Sequence, residues 1–254
     1  MMLSERQIEE ISRTLTDGNR GHAEKLYLQD IILSTISRET VDELVFKGGT
    51  ALLKFYQLDR FSEDLDFSKT GEIDLEKLLD KIERDLESFG AEVQEKKVEE
   101  SERSFKARLG IGGPLYSGER RSLSFIRIEV NEKSSVEKTD TQRYTPRFQD
   151  ITAFELSILT QEEILAEKIR AIRTREKPRD LYDIYHLIRK GVEIDEDLVN
   201  IKLEYYGLSH DIEATLEGTR ELEKNWSIVS TLAYSEPPKF QDAIETLERG
   251  LKDK

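Results

Sequence analysis

Residues 44 to 68 constrain the fold of this chain more than any other stretch, because strand, turn and helix signals follow one another within it. The apolar run at 44–46 predicts a short strand. Gly48 and Gly49 then let the backbone turn sharply before Thr50 opens a helix. The first amides of a helix have no partner within it and carry the positive end of its dipole. We therefore expect a turn that can cradle a phosphate.

The same stretch continues with an alternating segment, Asp64-Leu65-Asp66-Phe67. On an extended strand the two aspartates share one face, and Leu65 and Phe67 share the other. Two ionised carboxylates that lie close repel each other unless a cation lies between them. Mg²⁺ prefers oxygen ligands and often takes substrate phosphates as the remainder. Alone, a glycine pair is usually an ordinary turn and Asp-x-Asp a solvated strand edge, but together they predict a phosphate-binding turn beside a site for Mg²⁺ or Mn²⁺.

Composition narrows the functional classes. The chain has 254 residues, 39 basic against 53 acidic, for a net charge of −14, so any contact with nucleic acid must be local. The absence of cysteine excludes disulfides, thiolate metal sites and cysteine nucleophiles. The first residues do not have the pattern of an apolar signal segment, so we expect none, and no stretch approaches the roughly 20 apolar residues that cross a bilayer. We expect a cytoplasmic protein that does not associate with membranes.

The remaining pattern predicts an α+β fold, a mixed sheet flanked by helices and followed by a C-terminal helical lobe. Short alternating segments between about 91 and 145 predict antiparallel strands, and helical periodicity dominates after 161. We place the domains at 1–150 and 151–254. In the segment 123–130, Glu129 shares a face with Phe125 and Arg127, so it is either a third acid of the metal site or a solvent-facing strand glutamate.

Residues 161 to 190 predict two helices that are separated at Pro178. Thr160 and Glu163 form a capping-box pattern at the start of the first helix. In the helical lobe beyond, the aromatic residues are more often core than ligand-binding, and we assign them no role. They are Tyr205, Tyr206, His210 and Trp226.

Asp180 lies on the flank of the apolar face of the second helix, with Asp183 nearer the rim. A carboxylate beside an apolar face is costly unless it is paired, so Asp180 should meet Arg175 or Lys168, or shape a ligand site. The alternative is a first-turn acid that the helix dipole favours. Lys168 lies at the edge of the first helix's apolar stripe, so it either reaches substrate phosphate or pairs with Asp180 to hold the two helices together.

Two motifs carry a resemblance to a known family. The Gly-Gly-Thr turn followed by Arg60-x-Ser62-x-Asp64-x-Asp66 resembles the nucleotidyltransferase signature of the AbiEii/AbiGii toxin family. The order Lys168, then Arg173 or Arg175, then Arg179-Asp180-x-x-Asp183 resembles its second block. The resemblance spans about 46–188.

The resemblance implies a polymerase-β-like palm domain and a set of site residues. It implies metal ligands and catalytic acids at Asp64 and Asp66, with Glu129 as a third acid by analogy. It implies nucleoside triphosphate contacts from Gly48, Gly49, Thr50, Ser62 and Lys168, with Asp180 supporting the active site. It also implies a toxin that acts opposite a cognate antitoxin, with RNA as the acceptor.

Two other classes of function stay open on the sequence. One is a regulator that binds the triphosphate without transferring it. The other is a two-metal nuclease, which would need neither the glycine cradle nor Lys168.

Overall fold

The computed structural model describes residues 2–252, and its centre is a mixed sheet. The sheet has seven strands in the order β3-β4-β5-β2-β1-β7-β6. The strands are β1 Leu44–Lys47, β2 Asp64–Lys69, β3 Glu92–Glu100, β4 Ser104–Gly112, β5 Ser124–Asn131, β6 Thr139–Tyr144 and β7 Phe154–Leu159. The meander β3-β4-β5 is antiparallel, whereas β5 pairs with β2 in parallel. The predicted α+β fold with a mixed sheet is confirmed.

Helices precede, interrupt and follow the sheet. They are α1 Glu5–Leu15, α2 Arg20–Glu39, α3 Gly48–Phe55, α4 Leu75–Phe89, α5 Gln161–Thr174, α6 Pro178–Arg189, α7 Glu196–Glu204, α8 Ile212–Arg220, α9 Val229–Leu232 and α10 Phe240–Lys252. Across residues 2–252, none of these helices is both long enough and apolar enough to span a bilayer.

The backbone divides into two compact units that do not follow the chain in one cut. The first runs up to Phe55 and includes Phe61–Ser134 and Asp140–Ile158. The second comprises Tyr56–Arg60, Ser135–Thr139 and the chain from Leu159 onward. The predicted boundary between a domain at 1–150 and a domain at 151–254 stays a prediction.

In the first unit, one face of the sheet is the core and the other is polar. On β5, Ile126, Ile128 and Val130 are buried, and α2 and α4 cover this side of the sheet. Burying each such side chain contributes about 1.5–3 kcal/mol. The α4 helix ends where the sequence predicts, at Gly90 with φ +100°. The opposite face of β2 and β5 is thereby left for polar groups.

In the second unit, α5 and α6 pack together, and the predicted break between them is present. Pro178 occupies the first turn of α6, where its missing amide does no harm. The capping-box prediction was half wrong. The Thr160 hydroxyl accepts from the Glu163 amide, but the buried Glu163 carboxylate pairs with Lys202 at 2.5 Å instead of returning to the cap. A buried charged partner outweighs the local backbone bond.

The expectation that these four residues of the helical lobe are core was wrong for Tyr205 and Tyr206, and His210 and Trp226 are only half-buried. Tyr205 and Tyr206 are 46% and 51% exposed. They follow α7 at a turn, beyond the end of its buried stripe.

Candidate active site

The glycine turn and the aspartate strand meet at one point. Gly48, the first residue of α3, has φ +77°, a conformation that L side chains rarely adopt. A Cβ at this position would lie 2.5 Å from Asp66 Oδ2. The carboxylate of Asp66 therefore lies against the first residue of α3, in space that only glycine leaves. Two features that the sequence shows separately form one site.

Alternation on β2 places the acids as predicted. Asp64 and Asp66 are half-buried, whereas Leu65 and Phe67 are fully buried. Both aspartates thus lie on the polar face of the sheet, which α2 and α4 leave uncovered.

Thr50 and Ser62 connect α3 to β2. Both are buried, and their hydroxyl oxygens lie 2.9 Å apart. The Thr50 hydroxyl donates to the carbonyl oxygen of Asp64 at 2.5 Å. These hydroxyls therefore fix the position of the acids relative to the turn, and their predicted contact with nucleotide stays a prediction.

Glu129 lies beside Asp66 but is engaged by a cation. The parallel register of β2 and β5 pairs Asp66 with Glu129 and Asp64 with Arg127. Lys106 Nζ lies 3.1 Å from Glu129 Oε1, and Arg127 Nη1 lies 3.6 Å from Asp64 Oδ2. Among the residues that the structure describes, no group of three or more acidic, histidine or cysteine side chains is arranged to hold a metal ion.

Two carboxylates nevertheless fit a magnesium ion. Mg²⁺ is commonly bound through one or two carboxylates, with water and substrate phosphates as its other ligands. Asp64 and Asp66 are of that kind, lie on one face and are oxygen donors. The assignment of Glu129 as a third ligand stays a prediction.

Sequence reasoning missed Lys47. In the antiparallel register of β1 and β2, Lys47 is directly opposite Asp66, so both side chains leave the same face. Lys47 is buried. Its signal in the sequence is a lysine that ends an apolar strand run just before the glycine pair, since a buried lysine requires a specific partner.

In the second unit, four buried charged side chains and the exposed Arg175 form a chain of ion pairs. Arg60 donates two hydrogen bonds to Asp183. Its Nε lies 2.7 Å from Oδ1, and its Nη2 lies 2.7 Å from Oδ2. Lys168 Nζ bridges the two acids of α6, at 2.7 Å from Asp183 Oδ2 and 2.9 Å from Asp180 Oδ1. Arg175 completes the chain with two bonds to Asp180, at 2.8 and 3.0 Å.

These contacts decide two expectations. Asp180 meets both of the partners that were predicted for it. The placement of Asp183 nearer the rim of α6 was wrong, because it is fully buried and held by Arg60. Arg60 is 123 residues away in sequence, so no helical projection could show it.

Electrostatics keep both acids of α6 ionised. Burial alone would raise the pKa of Asp180, but the charges of Lys168 and Arg175 outweigh burial and hold it below the ordinary value. For Asp183, the charges of Arg60 and Lys168 likewise outweigh burial and lower the pKa. The Lys168 contacts are those of a lysine that holds two helices together, and its contact with phosphate stays a prediction.

The fold resembles those of solved structures, one of which is a nucleotidyltransferase toxin. MenT4, a nucleotidyltransferase toxin from Mycobacterium tuberculosis H37Rv, superposes with a TM-score of 0.70 at 19% identity, over 98% of this chain and 89% of that one. JHP933 from Helicobacter pylori superposes with a TM-score of 0.61 at 17% identity, over 92% of this chain and 91% of that one. Identities this low show a shared fold. No curated protein sequence matches the chain.

The family is shown by sequence. The model described as "Nucleotidyl transferase AbiEii toxin, Type IV TA system" matches residues 31–253. The chain belongs to this family of nucleotidyltransferase toxins, which confirms the resemblance carried by its two motifs. Membership implies a nucleotide substrate and a cognate antitoxin.

Proposed function

We propose that this protein transfers a nucleotide from a nucleoside triphosphate to a hydroxyl of an RNA acceptor, with Mg²⁺ or Mn²⁺ as cofactor. The observation that carries the proposal is the contact between Gly48 and Asp66. It places an anionic pair at the start of a helix, where unpaired amides favour phosphate. A bound cation and a bound triphosphate would satisfy both groups.

Each residue has a role in this proposal. Asp64 and Asp66 hold the divalent cation, which when bound neutralises phosphate charge and polarises the transferring group. The amides of Gly48 and Gly49 bind the phosphate tail where negative charge develops on the leaving pyrophosphate. Thr50 and Ser62 keep these two elements in register.

Lys168 and Asp180 enter the proposal through the family motif. Lys168 would place a point charge on the triphosphate, as lysines in phosphate sites do. Asp180 would orient Lys168 through the bond of 2.9 Å between them.

Labelled nucleoside triphosphates test the reaction directly. The protein is incubated with each triphosphate, Mg²⁺ and total RNA, and the RNA is separated on a denaturing gel. A transferase lengthens the RNA and labels it, and a nuclease shortens it. Shortened or unlabelled RNA with every triphosphate would overturn the proposal.

The second candidate is a regulator that binds the triphosphate without transferring it. Arg127 lies 3.6 Å from Asp64 and Lys47 is opposite Asp66, so the chain itself supplies positive charge beside both acids. Equilibrium binding of triphosphate with and without EDTA separates the two, because a regulator retains its affinity and yields no labelled RNA.

A further inference from the structure

Three cations form a straight row on the polar face of the sheet. The strand registers place Lys97 of β3 opposite Arg108 of β4, and Arg108 opposite Arg127 of β5. Arg127 in turn is opposite Asp64 of β2. Side chains that are opposite in register leave the same face, and neighbouring strands lie about 4.8 Å apart, so the three cations cover about 10 Å. The row ends at the candidate active site.

The row places like charges beside one another. Like charges that lie directly opposite on neighbouring strands destabilise a sheet, and the row contains two such pairs. The next row on the same face shows the ordinary alternative, since Glu99, Lys106 and Glu129 alternate in sign along it. Acidic residues outnumber basic ones in this chain, which has a net charge of −14, yet all three positions of the row carry cations.

The cations of the row are available to a ligand. Lys97 and Arg127 have side chains 72% and 50% exposed, and Arg108 is also exposed. The Cζ atom of Arg108 lies 4.0 Å from the centre of the Phe125 ring, so the guanidinium makes a cation–π contact with this ring. Lys97 contacts the exposed carboxylate of Glu99 at 2.5 Å, and exposed pairs of this kind are weak.

An open cleft of about 350 Å³ lies over the row. It is lined by Lys97, Arg108 and Arg127 of the row, and by Glu99, Lys106 and Glu129 of its neighbour. With Ala107, the lining comprises four cations and two carboxylates, and this net positive charge suits a polyanion and not an apolar partner.

We propose that Lys97, Arg108 and Arg127 bind successive phosphates of a single-stranded acceptor RNA and lead its hydroxyl end to Asp64 and Asp66. The inference rests on the proposed nucleotidyl transfer and adds the surface that the acceptor occupies. Phosphate contacts position a strand without reading its bases, so this row predicts little sequence preference. The triphosphate tail has the same chemistry, and the experiment separates the two sources.

Salt-dependent RNA binding tests the row. A fluorescein-labelled single-stranded oligoribonucleotide is titrated with the full chain, and anisotropy is recorded at several NaCl concentrations. Each lost phosphate contact on a single strand reduces the slope of log affinity against log salt by about 0.7. The double variant Lys97→Gln, Arg108→Gln should therefore make the negative slope shallower by about 1.4. The charge-conserving variant Lys97→Arg, Arg108→Lys should retain the wild-type slope.

The matched control removes the same charges from helices. Arg6 of α1 and Lys77 of α4 have side chains 87% and 81% exposed, and neither belongs to the sheet. Arg6→Gln, Lys77→Gln should leave the slope unchanged. An equal loss in this control, or an unchanged slope in the row variant, would overturn the inference.

Two further readouts on the same proteins complete the test. The row variant should bind nucleoside triphosphate with unchanged affinity, and it should raise the KM for RNA in the labelling reaction. Loss of triphosphate binding would assign the row to the nucleotide and overturn the inference. Labelling by the wild-type protein with an unchanged KM in the row variant would do so while leaving the transferase intact. Absence of labelling by the wild-type protein would instead refute the proposed function, and the anisotropy slopes would still judge the row.

Discussion

At the scale of single residues, Gly48 determines whether the site can form. Two independent features require glycine at this position. Its φ is +77°, and a Cβ would lie only 2.5 Å from Asp66 Oδ2. The first concerns backbone strain, and the second concerns the position of the carboxylate that we propose to bind the metal ion. A glycine elsewhere in the chain, Gly118, has φ +85°, and a Cβ there would meet no described atom within 4 Å.

Gly48→Ala should therefore abolish transfer, whereas Gly118→Ala should leave it unchanged. Both variants carry the left-handed strain of about 1–2 kcal/mol, so both should unfold at lower urea concentration. Only Gly48→Ala displaces Asp66, and we expect transfer to fall at least about 10²-fold, the scale for losing one preorganised charged contact. Equal activity of the two variants would show that the contact between Gly48 and Asp66 has no catalytic role.

Asp64→Asn and Asp66→Asn should each abolish nucleotide transfer while retaining the fold. Amide side chains keep the shape but lose the charge that binds a divalent cation. Circular dichroism should be unchanged, because both side chains lie on the polar face of the sheet. The control is Asp140→Asn on β6, an exposed aspartate of the same unit. Transfer by both site variants at the wild-type rate would remove the metal from the proposal.

At the scale of elements, the packing of α5 against α6 depends on a buried chain of charge. Lys168 is 7% exposed in its side chain and contacts both acids of α6. Removing one partner of a buried ion pair typically costs about 3–5 kcal/mol, because it leaves a buried charge uncompensated. Here Arg175 and Arg60 still compensate the two acids, so the lower end of that range applies.

Lys168→Met should thus destabilise the second unit by about 3 kcal/mol, measured by urea unfolding. If Lys168 also contacts the triphosphate, the variant molecules that stay folded should transfer nucleotide more slowly. The expected loss of transition-state stabilisation, measured from kcat/KM, is about 2–4 kcal/mol. The control is Lys202→Met, another buried lysine, which bonds Glu163 at 2.5 Å and the Ser135 carbonyl oxygen at 2.7 Å. It should destabilise without affecting transfer. A destabilised, fully active Lys168→Met variant would restrict Lys168 to packing.

Acid should weaken the same two helices. The pKa values of Asp180 and Asp183 are lowered in the folded protein, so their contribution to stability is complete above the unfolded value of about 3.9 and is lost as pH falls through the folded values. Urea unfolding followed by the fluorescence of Trp226, the one tryptophan in the sequence, reports on this unit.

Stability should fall from about pH 5 downward in the wild-type protein. The fall should be shallower in Lys168→Met, because losing the lysine lets both pKa values return toward the unfolded value. Identical pH profiles for the two proteins would contradict the assigned electrostatic cause.

At the scale of the whole molecule, the net charge of −14 sets the response to salt. Excess charge of one sign destabilises a compact state by self-repulsion, and salt screens it. The exposed ion pairs oppose this trend only weakly, since each contributes about 0–1 kcal/mol. We expect the Tm to rise with NaCl at pH 7.

The matching control uses the same salt series near pH 4.9, the isoelectric point of the sequence. Self-repulsion vanishes there, so the rise in Tm should shrink or reverse. A Tm that falls with NaCl at pH 7 would mean that ion pairs, and not repulsion, dominate the electrostatics.

Much of the candidate site was predictable because its signals are local. The turn at Gly48, the shared face of Asp64 and Asp66 and the end of α4 at Gly90 each depend on a few adjacent residues. The failures concern residues whose partners are remote. The Glu163 carboxylate bonds Lys202 instead of the backbone of its own helix cap, and the buried Asp183 is paired with Arg60. Tyr205 and Tyr206 are exposed, although aromatic residues in helical lobes are usually buried. That general tendency does not predict the position of residues in one particular turn.

By itself, the sequence determined which residues alternate, which turn and which begin a helix, because dihedral preferences and side-chain periodicity act over one or two turns of chain. Its two motifs also determined the family. Only the tertiary structure decided that Lys47 and Glu129 flank Asp66, and that three cations lead to Asp64. Strand order and register decide such neighbours, and they follow from burying distant apolar faces together, which no local pattern encodes.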